Sequence, residues 1–187
     1  RDPRQIQTRR RAHSAGAQSA LGRQPAIERV FKPTLHHLAD RIGARLRAKS
    51  LAGRTITVRV RFADLRAVTR SRTLPAPISA TRALAEVAED LVRGALADHA
   101  NEKTISLLAI SVSHLDAHAI VQLELPLGLA DEGRRPGTKQ GVARSRADRA
   151  VDAIRKRFGA HAVDYGLASR DARSVPDEFR RLAEREL

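Results

Sequence analysis

An α+β fold, with a four-stranded antiparallel sheet covered on one face by two helices, is predicted by three features of this 187-residue sequence. Two segments carry helical periodicity, the segments between them alternate with period two, and the order in which they follow one another is β-α-β-β-α-β. A hydrophobic fraction of 42% can supply a core, and with only four Phe and one Tyr that core is aliphatic. The length suits one domain of ordinary size with extensions. These are a basic linker over 1–11, the sheet domain over 12–115, a short apolar peptide over 116–130 and a tail over 131–187, partly helical or disordered.

Arg1 to Arg11 has no apolar periodicity and reads as a tether. His13 to Leu21 is small and weakly alternating, a strand by its place in the order more than by its pattern. After a break at Gly22 to Pro25, Phe31, Leu35, Leu38, Ile42 and Leu46 recur at helical spacing, with Arg41, Arg45 and Arg47 away from that stripe. Pro33 is tolerable there only in the first turn. Gly53 ends the helix, and in Arg54 to Phe62 the apolar Ile56, Val58, Val60 and Phe62 face one way, with Thr55, Thr57, Arg59 and Arg61 opposite. A turn near Asp64 leads into Ala67 to Leu74, a hairpin partner that Pro75 and Pro77 stop. Ser79 is placed to cap a second helix with the stripe Leu84, Val87, Leu91 and Ala95. Thr104 to His114 forms the last strand, with Leu108, Ile110 and Val112 on one side. In the tail, Ala147, Val151, Ile154 and Phe158 share a helical face.

The net charge is +14, and all of the excess lies in residues 1–74, since residues 75–187 carry equal numbers of cations and carboxylates. A positive field so concentrated attracts a polyanion, which makes nucleic acid the first partner to consider. There is no Cys, which excludes disulfides, thiolate nucleophiles and Cys-ligated metal sites. No apolar run approaches the roughly 20 residues that span a bilayer and no signal peptide opens the chain, so no membrane association and a cytoplasmic location are expected. The chain starts at Arg1 rather than Met, as a piece of a longer protein would.

Arg59 and Arg61, about 6.6 Å apart along a strand at roughly 3.3 Å per residue, can follow consecutive phosphates of a nucleic-acid strand. Arg70 and Arg72 in the adjoining strand extend the same device, with the hydroxyls of Ser71 and Thr73. Strict alternation sets Arg70 and Arg72 beside Val68, so a bulge or an exposed edge is needed. Four neutralised phosphates on duplex DNA would give a slope of log affinity against log salt near about −3.6. Base stacking is not expected, because the sheet lacks aromatic platforms. His114 with His118, and His36 with His37, lack the shared helical face and third ligand of a zinc site, so no metal and no other cofactor is expected in this chain. No phosphate loop, nucleophile elbow or carboxylate constellation is present; Asp64 and the pair Glu89-Asp90 read as solvated acids.

The order of elements and several strings resemble the little-finger domain of Y-family translesion DNA polymerases of the bacterial DNA polymerase IV type. His13-Ser14-Ala15-Gly16 is similar to the Lys-Ser-Ile-Gly-like start of that domain, Arg70-Ser71-Arg72-Thr73-Leu74 to its Ser-Arg-x-Arg-Thr strand, and Leu107-Leu108-Ala109-Ile110 to its final strand. His13, Ala15 and Ala109 depart from the family's usual residues. The resemblance implies a module that clamps primer-template DNA by its backbone, through His13, Ser14, Gly16, Arg59, Arg61, Arg70, Ser71, Arg72 and Thr73, joined to a catalytic core by the basic linker. That core's palm, with the carboxylates that hold magnesium, is absent from this chain, which is not expected to polymerise by itself. Gln122-Leu123-Glu124-Leu125-Pro126-Leu127 resembles the hexapeptide that binds the bacterial sliding clamp, implying that Gln122 anchors by its amide and that Leu123, Leu125 and Leu127 meet the clamp, Leu125 and Leu127 filling apolar pockets. The alternative from another class is a free-standing ferredoxin-like RNA-binding protein, which the same basic sheet would serve.

Overall fold

The computed structural model describes residues 12–117 and 135–166. The expected order is present: β1 (Ser14–Pro25), α1 (Glu28–Ala48), β2 (Ala52–Phe62), β3 (Ala67–Ile78), α2 (Thr81–Ala97) and β4 (Thr104–Asp116), followed by α3 (Lys139–Phe158). The sheet runs β1-β4-β2-β3 with every neighbouring pair antiparallel. Ile56, Val58, Val60 and Phe62 of β2 and Leu108, Ile110 and Val112 of β4 pack under α1 and α2, and all are fully buried. The five stripe residues of α1, Phe31 to Leu46, close that aliphatic core from the other side. Among the described residues no helix is long and apolar enough to cross a membrane.

Several local expectations are corrected. Pro75 and Pro77 do not stop β3, which continues to Ile78. Thr73 pairs with Thr55 and Ile78 with Gly53, so four residues of β3 oppose the single Arg54 and the two prolines sit where no ladder donor is required. The edge position of β3 makes this tolerable. Gly22 to Pro25 likewise belongs to β1, with Gly22 in the left-handed region at φ 69° where the register shifts. Pro33 is the sixth residue of α1 rather than in its first turn, and the helix continues through it. Ser79 caps nothing, because α2 starts one residue later with Ala80 as its N-cap and no side-chain bond from it.

The α2 cap comes from a distant element. Asp148 of α3 accepts from the Thr81 backbone N–H at 2.8 Å, satisfying one of the orphan donors of the helix start. Asp148 is itself buried and also accepts from Arg47 Nη1 at 3.2 Å and from the Tyr165 hydroxyl. Arg47, whose side chain is only 8% exposed, makes two further bonds to Asp152 at 2.6 and 2.9 Å and one to the Ser79 carbonyl. Burial opposes the charge of this guanidinium, but the Asp152 bond and the two carboxylates outweigh it, so Arg47 holds its proton above the ordinary arginine range. Around this cluster Arg155 binds Asp40 at 2.8 and 2.9 Å, and Arg144 binds Glu86 at 2.9 Å. Polar residues thus dock α3, while Ile154 and Phe158 of its expected apolar face stay 38% and 66% exposed.

Candidate nucleic-acid interface

The face of the sheet away from α1 and α2 is polar and built of small side chains. Ser14, Gly16 and Gln18 of β1 pair with Ser113, Ser111 and Ala109 of β4, which in turn oppose Thr55, Thr57 and Arg59 of β2. Thr73, Ser71 and Thr69 of β3 complete the same rows. Period-two alternation places these residues outward because their neighbours Ala15, Ile56, Val58 and Val112 are buried. Hydroxyl contacts order one corner of this face, where Thr55 meets Thr73 at 2.8 Å and His114 Nδ1 at 2.9 Å. Low side chains and outward hydroxyls allow a phosphate chain to approach the strands closely.

Of the candidate residues, Ser14, Gly16, Arg59, Arg61, Ser71 and Thr73 are brought together on this open face. His13 lies exposed just before β1. Arg59 is exposed, whereas Arg61 is partly drawn in, its Nε donating at 3.0 Å to Ser106. Ser106 is the extra residue of a bulge, since Arg61 opposes Leu107 and Phe62 opposes Ile105; its own hydroxyl donates to the Phe62 carbonyl at 2.7 Å.

Arg70 and Arg72 do not share that face. They pair with Val58 and Ile56, so both project to the helix-covered side, as strict alternation from Val68 requires. No bulge intervenes; the exposed edge of β3 makes their placement possible. Each reaches past the rim to a carboxylate of α2 or its C-cap, Arg70 to Asp98 at 2.9 Å and Arg72 to Asp90 at 3.6 Å. With 42% and 44% of their side chains exposed they remain at the surface, on the flank of the sheet rather than over it. The four-arginine surface expected of one face is therefore two pairs around an edge.

The other chemistry weighed in the sequence is placed as follows. Glu89 is not a solvated acid: it is buried, 3.1 Å from His36 Nε2 and bonded to Arg93 at 2.9 Å. Asp64 is exposed and held below the usual carboxylate range first by its bond from the Arg66 side chain. No group of three or more His, Asp or Glu able to hold a metal occurs among the described residues. Gln122, Leu123, Leu125, Leu127 and the basic linker lie outside the described residues.

A model of the impB/mucB/samB family C-terminal domain matches residues 12–125. The chain belongs to this family. Its sheet domain is thus the little-finger type of domain that the sequence resembles, with the β-α-β-β-α-β order and antiparallel sheet described above. The protein described as DNA polymerase IV 2 of Mesorhizobium japonicum is 72% identical over 188 residues, covering all of this chain and 45% of that protein. DNA polymerase IV of Leptospira interrogans serovar Lai is 32% identical over 117 residues, covering 60% of this chain and 32% of the relative. The chain therefore spans less than half the length of these curated relatives. Among solved structures, a Y-family DNA polymerase chimera of Dbh and Dpo4 has a TM-score of 0.49 at 17% identity, covering 56% of this chain and 29% of that one. A little finger domain of PolIV in complex with the beta-clamp processivity factor has a TM-score of 0.46 at 18% identity, covering 63% of this chain and all of that one.

Proposed function

We propose that this chain is the DNA-holding and clamp-tethering C-terminal region of a translesion DNA polymerase of the DNA polymerase IV type. Its partners are primer-template DNA, the bacterial sliding clamp and the catalytic core of the same polymerase, with magnesium held by that core. The observation that carries the reading is the uncovered, hydroxyl-rich sheet face with Arg59 and Arg61 on it, in a member of this family. Arg59 and Arg61 neutralise phosphates, while Ser14, Ser71, Thr73 and the peptide groups near Gly16 donate hydrogen bonds to the backbone, and His13 stands at the entry of the chain. Such contacts position DNA without reading its sequence, which suits a polymerase that must move along its template. Arg70 and Arg72 serve at the edge by exchanging Asp98 and Asp90 for phosphate. The exchange costs little, because exposed ion pairs are worth about 0–1 kcal/mol.

The test is binding of primer-template DNA at increasing salt. Arg59→Ala with Arg61→Ala should flatten the slope of log affinity against log salt by about 1.8, at about 0.9 per phosphate contact. Adding Arg70→Ala and Arg72→Ala should remove a further contribution of about the same size. Unchanged affinity in the quadruple variant overturns the proposed surface, and preference for structured RNA over primer-template DNA would favour the RNA-binding alternative. The clamp assignment rests on Gln122 to Leu127, which begins inside the matched region and runs two residues past its end at 125. Leu125→Ala with Leu127→Ala should abolish clamp binding and leave DNA affinity unchanged, since each buried leucine contributes roughly 1.5–3 kcal/mol. Retained clamp binding removes that part of the proposal.

A further inference from the structure

Helix α3 carries seven cations and two carboxylates. Both carboxylates, Asp148 and Asp152, are turned inward to Arg47. Arg144 and Arg155 are spent on Glu86, Asp40 and Asp164. Arg157 lies over the Phe158 ring. Of the other four, Lys139 is exposed at the first residue of the helix, and Arg146, Arg149 and Lys156 are exposed further along it; none of these last three forms an ion pair among the described residues. Spacings of three and seven residues set them on one side of the helix, next to the docked polar face and away from the apolar face that bears Ile154.

These three cations line one wall of an open groove whose other wall combines the C-terminal end of α1 at Ala44 and Ala48, the start of α2 at Ala80 and Ala83, and the end of the sheet at Ala52, Ile78 and Ala117. The same sheet end carries Ser14, Thr55, Thr73 and Ser113 of the open face. We infer that Arg146, Arg149 and Lys156 form a second grip on the phosphate backbone of DNA, taking the strand that leaves the open face past this end. Charge complementarity identifies the occupant. Three other exposed arginines, Arg66, Arg82 and Arg93, are matched by Asp64, Glu86 and Glu28. Among the described residues Asp152, which lines the same groove, is held by Arg47, and no acid pairs with the three cations, so a polyanion gains from all three. Ten residues of helix at about 1.5 Å each span roughly 15 Å, about four nucleotide steps of 3.4 Å. The route of the DNA rests on the DNA-holding reading above, whereas the site itself does not.

The experiment uses the full chain and a fluorescently labelled primer-template duplex, with anisotropy recorded over a range of sodium chloride. The variant Arg146→Gln, Arg149→Gln, Lys156→Gln should bind more weakly and flatten the log-log salt slope by about 2.7, three contacts at about 0.9 each. A control with the same loss of charge at the opposite sheet end, Arg23→Gln, Arg29→Gln, Lys103→Gln, should change the slope much less. Equal flattening in both would show an effect of net charge alone and overturn the site. An unchanged slope in the α3 variant also overturns it, and the open-face reading survives that result if Arg59→Ala with Arg61→Ala still flattens the slope. Flattening by the α3 variant alone would support the second grip and count against the open face.

Discussion

Asp148→Ala removes three bonds, two that hold α3 to the domain and one from Tyr165 beyond the helix, and its cost can be assembled from them. The Thr81 N–H loses its acceptor, which at a helix N-terminus is worth about 1 kcal/mol. Arg47 keeps both bonds to Asp152, so its loss is a fraction of the roughly 3–5 kcal/mol expected when a buried pair is broken outright, about 1–2 kcal/mol. The partly buried Tyr165 hydroxyl loses its acceptor for about 1 kcal/mol more. The sum, about 3–4 kcal/mol, corresponds to a fall in Tm of about 10 °C at roughly 2–4 °C per kcal/mol for a chain of this size. Urea and thermal unfolding followed by circular dichroism measure it. Asp148→Asn keeps an oxygen for the Thr81 N–H, and Asn is as good a capping residue as Asp, so this variant should be more stable than Ala by about 1 kcal/mol. Asp148→Ala within about 0.5 kcal/mol of the parent chain would refute the account of α3 docking, and equal stabilities for Ala and Asn would refute the long-range cap.

Two further outcomes follow from the same packing. Tyr165 is the single tyrosine of the chain, so phenolate absorbance reads it alone. Burial, and then its bond to Asp148, raise its pKa above the ordinary value of 10.0, so its contribution to stability is complete below about pH 10 and is lost as the pH rises toward the folded pKa. Its titration midpoint should lie well above 10 in the parent chain and return toward 10 in Asp148→Ala; a parent midpoint at 10 would contradict the burial. Gly53→Ala brings a Cβ to 2.3 Å from Val112 Cγ1 and 3.1 Å from the Ser113 carbonyl, at the start of β2. Overpacking of this kind should cost about 1–3 kcal/mol, and a neutral substitution in a urea titration would show that the β2–β4 contact is looser than described.

What could be read from the chain divides by the range of the interaction. The alternation of Ile56 to Phe62 against Thr55 to Arg61 is local, and it holds in the fold residue by residue. The parity of Arg70 and Arg72 with Val68 is equally local, but its consequence depends on strand order, because the edge position of β3 lets two cations occupy the helix side without being buried. Ser79 has the right residue type for a cap, and yet the cap comes from Asp148, 67 residues beyond the Thr81 N–H that it accepts. An apolar stripe on α3 reads as the buried face until partly buried partners such as Arg47 and Asp40 are known, since these draw the adjoining polar face inward. The same partners undo the reading of charge by segments. Residues 75–187 sum to zero along the chain, but in α3 folding buries Asp148 and turns Asp152 to Arg47 while Arg146, Arg149 and Lys156 stay outside, so one side of this helix is positive in space. The field that a polyanion meets is set by which charges remain uncompensated at the surface, and on that measure α3 belongs with β2 rather than with the neutral segment that contains it.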